Sequence, residues 1–243
     1  MTTEAMPRVE CFGAGGREPY EHALRVGGPL LLHDEGGDGG STPVSRPLDI
    51  RRFLARADRV ERRLLASTHG SVLDVGCGPG RMVAEALRVR RRVLGVDVSP
   101  VCVRLAADHG LPVHLGSVFG QVPGAGSWDV VLLLDGNVGI GGDPAALLRR
   151  CADLGSPGAR LVVETAGQRG LDRRFTARVS TPGAGDSAGF PWAEVGADAL
   201  ITTAAVAGWY PVQEVRRRGR SFVVLARSLP SPRVRSRGCR SWP

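Results

Sequence analysis

Lysine is missing from all 243 residues, so the 32 basic side chains are all arginines. Nine of them follow Glu214 and no acid does, while the chain up to that point carries 23 arginines against 24 acids. The net charge of +8 therefore belongs to the C-terminal end and not to the body of the protein. No aromatic interleaving accompanies that charge, which argues against an RNA-binding module, and the run is expected to be a solvated, arginine-biased tail. Long apolar runs are also lacking. The longest, such as Val130–Leu134, are strand-sized, far below the ~20 residues that a membrane span needs. The first ten residues show no basic-then-apolar signal pattern, and the expectation is a cytoplasmic protein. The five cysteines are scattered, with no C-x-x-C pair and no Cys/His cluster, so no metal site is expected. The histidines (His22, His33, His69, His109, His114) stand alone in sequence, and none lies near Cys77 to make it a nucleophile. Internal repeats are absent, and nothing specifies an oligomeric state.

What is present is alternation. An apolar content of 42% is enough for a sizeable core in one α/β domain with additions. The pattern predicts strands over Ser71–Val75, Arg92–Val96, Pro112–Leu115, Asp129–Leu134 and Arg160–Thr165, separated by helical stretches. Ser99 with Pro100, and Asp143 with Pro144, are N-cap and first-turn signals for two of those helices. Such βαβ alternation predicts a parallel sheet with helices on both faces. Ahead of it, Leu48–Ser67 repeats apolar residues at helical spacing. Residues 1–47 are glycine- and proline-rich, with a hairpin expected over the domain's mouth from Pro29–His33 and Thr42–Pro47. After the fifth strand, 166–190 is expected to be irregular apart from a strand at Arg174–Val179, and Trp192–Ala207 to be helical. The boundaries expected are a cover at 1–47, a domain at 48–228, and a disordered basic tail at 229–243.

The most informative stretch is Val-Leu-Asp-Val-Gly-Cys-Gly-Pro-Gly-Arg at 72–81. A β-branched run enters a loop with glycine at 76, 78 and 80, and a helical pattern follows at once. Glycine lets the backbone turn tightly after a strand and approach a ligand closely. Asp97 stands 21 residues after Gly76, at the end of the next strand, where nucleoside-binding folds place a carboxylate on the ribose hydroxyls. The dinucleotide fingerprint G-x-G-x-x-G needs a third glycine where this chain has Arg81, which disfavours an NAD(P)-binding oxidoreductase.

This stretch resembles motif I of the class I S-adenosylmethionine-dependent methyltransferases, with a type 11-like domain, and Gly-Val-Asp-Val-Ser at 95–99 is similar to that family's second motif. The resemblance covers Ser71 to Thr165, with a continuation to Ala226. It implies a Rossmann-like, mostly parallel seven-stranded sheet ending in an antiparallel hairpin from Trp209–Val215 and Ser221–Ala226. It also implies S-adenosylmethionine as cofactor. The cofactor-binding residues it implies are Asp74, Gly76, Cys77, Gly78 and Gly80 around the amino-acid part. Asp97 and Val98 would lie at the ribose, Ser117 and Val118 at the adenine, and Asp135 near the methionyl amine or as a base. Ser117 departs from the family's pattern, in which an acid usually follows the glycine. Arg81 is expected either to neutralise the cofactor carboxylate or to lie solvated on its helix. The Asn-Pro-Pro-Tyr type motif of amino-methylating nucleic-acid enzymes is absent, which favours a small-molecule acceptor over nucleic acid. A non-catalytic nucleoside-binding protein is the further alternative.

Because Leu229–Pro243 cannot bury a core and holds no motif, a chain ending at Ser228 is predicted to keep its melting temperature and cofactor affinity. A large loss of either on thermal denaturation or titration would show that the tail docks on the domain.

Overall fold

The computed structural model describes residues 19–35 and 45–227. The expected tail at 229–243 and most of the 1–47 cover lie outside them. The N-terminal part holds α1 (Pro19–Val26), β1 (Leu30–Asp34) and β2 (Ser45–Leu48). The single helix expected over 48–67 is two helices, α2 (Ile50–Leu54) and α3 (Arg59–Ala66). The break has a local cause. Asp58 and Glu61 form a reciprocal capping box, with the Asp58 side chain accepting from Val60 N at 2.7 Å and Glu61 N at 2.9 Å, so a new helix starts there.

The alternating body follows the expected order: β3 (Val72–Val75), α4 (Arg81–Arg88), β4 (Val93–Asp97), α5 (Pro100–Asp108), β5 (Val113–Leu115) and β6 (Trp128–Leu133). A 3₁₀ turn at Asn137–Gly142 leads to α6 (Pro144–Leu154) and β7 (Gly155–Thr165). The two N-caps foreseen at Ser99 and Asp143 are both made, on Cys102 N and Ala146 N. The next segment is more regular than expected. It forms β8 (Asp172–Thr181), β9 (Gly185–Asp186) and β10 (Phe190–Val195) before α7 (Ala197–Val206). Residues 166–190 are thus mostly strand. The helix expected over 192–207 loses its first turn to β10, because Phe190 to Val195 pair in continuous register with Ala177 to Asp172. Pro191 is tolerated there because β10 is an edge strand. The chain closes with β11 (Tyr210–Arg217) and β12 (Arg220–Ala226).

The larger sheet has seven strands in the order β11-β12-β7-β6-β3-β4-β5. Its β7-β6-β3-β4-β5 stretch is parallel, and β11 and β12 are antiparallel. Every residue of β3 is buried, as expected of a central parallel strand covered on both faces. One face packs Leu64, Leu65, Val83 and Ala86 of α3 and α4. The other packs Leu147, Leu148, Leu200 and Ala204 of α6 and α7. No helix among the described residues is long and apolar enough to cross a membrane.

A second sheet, in the order β10-β8-β1-β2 with β9 on β8, combines the N-terminal strands with the later ones. The hairpin expected over the mouth is therefore half of a cap whose other half comes from 172–195. Its inner face alternates with period two: Leu30 and Leu32, then Phe175, Ala177 and Val179, then Phe190 and Trp192. These side chains form their own core with Tyr20, Ala23 and Leu24 of α1 and with Cys102 of α5.

Replacing Asp58 by alanine removes both capping bonds and a 2.9 Å bond from Arg220. Loss of such a cap costs about 1–2 kcal/mol. A urea titration is predicted to show that loss as a lower midpoint with an unchanged slope.

Candidate functional site

The loops at the carboxyl ends of β3, β4, β5 and β6 face the cap across a cleft of about 480 Å³. In open α/β sheets this is where ligands bind. Nine of the ten residues singled out in the sequence line it, namely Asp74, Gly76, Cys77, Gly78, Asp97, Val98, Ser117, Val118 and Asp135; the tenth, Gly80, does not line it and instead closes the loop as the N-cap of α4.

The glycine loop is held from two sides. Asp97 Oδ2 accepts from Gly78 N and Oδ1 from Ser99 N, each at 2.8 Å. From the other side the Asn137 amide donates to Val75 O at 2.8 Å and Gly76 O at 2.9 Å. A Cβ at Gly76 would lie 2.5 Å from Asn137 Nδ2, so the close approach of that amide requires glycine. Asn137 is not among the site residues the sequence singles out. Its loop-clamping contact spans 61 residues and leaves no local signal.

The glycine-rich turn after β6 has a similar explanation. A Cβ at Gly139 would lie 2.2 Å from Ala193 O and 2.8 Å from the Trp192 ring. The turn is bare so that β10 and its tryptophan can lie against its backbone. Phe190 and Trp192 then stand edge to face, with centroids 5.9 Å apart. Tyr20 and Phe53 make a second such pair at 6.3 Å.

Beside the loop lies a buried ionic cluster that sequence reasoning did not anticipate. Arg81 is neither solvated nor free: its side chain is 6% exposed and lies 3.0 Å from Glu61 and 2.5 Å from Asp135. Arg52 of α2 pairs with Asp135 at 2.7 Å and with Glu164 at 3.2 Å. Arg220 of β12 reaches Glu164 at 2.6 Å, Asp58 at 2.9 Å and Glu61 at 3.1 Å. Arg220 therefore departs from the expectation that the C-terminal arginines are solvated. Asp135 sits at φ 55°, and its N–H donates to Glu164 at 2.9 Å. Aspartate is one of the few non-glycine residues to visit this region readily. Burial pushes the Glu164 carboxyl up to about 7, with Asp135 adding to it and Arg52 opposing.

The titratable groups of the cleft divide by environment. Burial raises the Tyr20 hydroxyl and the Cys77 thiol well above their ordinary values, so both stay protonated. Burial also raises Asp97, against the backbone N–H groups that favour its charged form. Asp74, at the end of β3, is pushed up to about 7 by burial, with Arg81 opposing and Asp135 reinforcing the shift. Asp135 is held by two guanidinium groups. Ser117 Oγ accepts from Phe119 N at 3.2 Å. No histidine lines the cleft among the described residues; His33 is held between the Ser45 and Ser180 hydroxyls.

Comparison with known proteins gives three findings. Residues 48–206 match the profile of a family described as a methyltransferase domain. The ubiquinone biosynthesis O-methyltransferase of Xanthomonas oryzae pv. oryzae is 33% identical over 118 residues, 45% of this chain and 48% of that protein. Its counterpart in Caulobacter vibrioides is 32% identical over 119 residues, 46% of this chain and 47% of that protein. The chain thus spans about half the length of these curated relatives. Among solved structures, a SAM-dependent methyltransferase from Bacteroides fragilis in complex with S-adenosyl-L-homocysteine superposes with a TM-score of 0.69, covering 86% of this chain and 92% of that one at 18% identity. An amino pentose methyltransferase from Micromonospora echinaspora gives 0.54, covering 73% and 94% at 21% identity. At those identities the structures show a shared fold.

The Asp74 carboxyl yields a pH prediction. Its folded value of about 7 lies above the ordinary 3.8, so the folded state holds this proton more tightly than the unfolded one. The stability linked to it is fully present below the unfolded value and is lost as pH rises through about 7. Asp74→Asn cannot ionise. Its melting temperature relative to the parent is therefore predicted to climb across that window and level off above it. A difference that does not vary with pH would contradict this account.

Proposed function

The chain belongs to the methyltransferase-domain family, and on that premise we propose that it moves a methyl group from S-adenosylmethionine to a small-molecule acceptor. The observation carrying this reading is a single cavity that joins the Asp97–glycine loop end to a chamber walled by aromatic side chains of the cap. A covered chamber of that size suits a small molecule better than a polymer. Relatives named as an O-methyltransferase and as an amino pentose methyltransferase support a small acceptor.

The cleft fits the cofactor. Each Asp97 oxygen spends one lone pair on a backbone N–H and keeps another for a ribose hydroxyl. Asp74, when ionised, places a negative charge beside a cationic ligand. Ser117 and Val118, after β5, stand where the adenine is expected. When bound, S-adenosylmethionine supplies a methyl group already electrophilic at its sulfonium, so the difficult chemistry is the cofactor's. The chain's part is to orient the acceptor and exclude water, and orientation alone can contribute several kcal/mol to lowering the barrier. Tyr20 and Cys77 stay protonated and no histidine lines the cleft among the described residues, while Asp74, at about 7, is a lining carboxyl that can take up a proton near neutral pH. An acceptor atom that is nucleophilic on arrival needs no such base.

Asp97→Ala is predicted to weaken S-adenosylhomocysteine binding by about 1–3 kcal/mol, the scale of losing charge-assisted hydrogen bonds. Calorimetry giving equal affinity for parent and variant would remove the proposed ribose site. Transfer of labelled methyl to RNA or DNA that persists at physiological salt would replace the small-molecule reading.

A further inference from the structure

The cap end of the cavity is nearly all hydrocarbon. Leu32, Leu48, Phe53, Phe190 and Trp192 line it, and among the described residues the cap contributes one charged side chain, Arg46. The walls are preformed. Phe190 and Trp192 are 1% and 7% exposed, and the tryptophan is seated on the Gly139 backbone. Rigid aromatic edges and faces favour a flat ring, which stacks in offset or edge-to-face contact.

Arg46 differs in kind from the other arginine lining the cleft. Arg81 is locked between Glu61 and Asp135. Arg46 stands on the four-residue edge strand β2, with a side chain 44% exposed, 2.5 Å from Glu194 Oε1. Glu194 has a second cation, Arg173, at 2.7 Å. If Arg46 turns toward a ligand, Glu194 keeps a partner and no acid is left unpaired. A guanidinium in this position offers a planar fork of donors matched to a carboxylate.

We propose that the acceptor is a flat aromatic molecule carrying one carboxylate-like anionic group, and that Arg46 is the residue that selects it. This rests on the methyltransferase reading above. The ring fills the aromatic chamber, and Arg46 exchanges Glu194 for the acceptor's anion.

The test uses the full chain. S-adenosylhomocysteine affinity is measured first by calorimetry. The loaded protein is then titrated with 2-naphthoate, its neutral amide 2-naphthamide, and the saturated acid cyclohexanecarboxylate. The expected result is naphthoate binding about tenfold or more tighter than either comparator. Arg46→Gln is expected to abolish the preference of acid over amide while leaving S-adenosylhomocysteine affinity unchanged. Glu194→Gln, which releases Arg46, is expected to tighten naphthoate several-fold. Equal affinities for acid and amide, or no naphthoate binding by a protein that binds S-adenosylhomocysteine, would overturn the assignment of Arg46 alone. Failure of the parent protein to bind S-adenosylhomocysteine would overturn the methyltransferase reading and this inference with it.

Discussion

Three arginines held among four carboxylates fix the elements around the glycine loop. Arg52, Arg81 and Arg220 come from α2, α4 and β12; Asp58, Glu61, Asp135 and Glu164 come from the α3 cap, α3, the turn after β6 and β7. Buried ion pairs add little net stability compared with apolar residues of similar volume, because desolvation offsets the attraction. Breaking an isolated buried pair costs about 3–5 kcal/mol; here the charges are shared, since Arg81 and Arg220 each touch more than one carboxylate. The cluster therefore acts mainly through geometry. It admits one placement of the α2 wall, one start for α4 and one conformation for the Asp135 turn. A chain without lysine suits this task. The guanidinium of Arg220 contacts three carboxylates at once, which its five fixed donors allow.

The cap depends on a different constraint, the bare backbone of the turn at 137–142. Gly139 admits the Trp192 ring and the Ala193 carbonyl, while Asn137 of the same turn clamps the glycine loop. One short segment thus registers the cap against the cofactor loop. The expected cofactor end is built from backbone and carboxylates on the parallel sheet. The proposed acceptor end is built from aromatic side chains on the antiparallel one. The two ends can therefore vary separately, in keeping with a fold that hosts many acceptors.

The electrostatics of the cleft follow from this division. Its carboxylates are committed to backbone N–H groups or to arginines, apart from Asp74, which burial brings to about 7. Its hydroxyl and thiol are kept neutral by burial. A site so arranged is suited to binding a cation and holding a second molecule beside it.

Much of the body was legible in the residues because its signals are local. Strand, glycine loop, helix, strand and Asp97 lie in register within 26 residues of Val72, and the caps at Ser99 and Asp143 are read from adjacent positions. The break at Asp58 was missed, because the apolar period runs on through it although an Asp-x-x-Glu box starts the second helix there. The cap was not legible, because β1 pairs with β8 across more than a hundred residues, and Phe190–Val195 carries no mark of the partner that makes it a strand. By itself, the sequence determined the succession of strands and helices along the parallel body and which carboxylate follows which glycine, since both are read from positions close together in the chain. Only the tertiary structure decided that arginines expected to be solvated are buried, that Asn137 holds the loop, and that an aromatic chamber closes over it, since each depends on desolvation by segments distant in sequence.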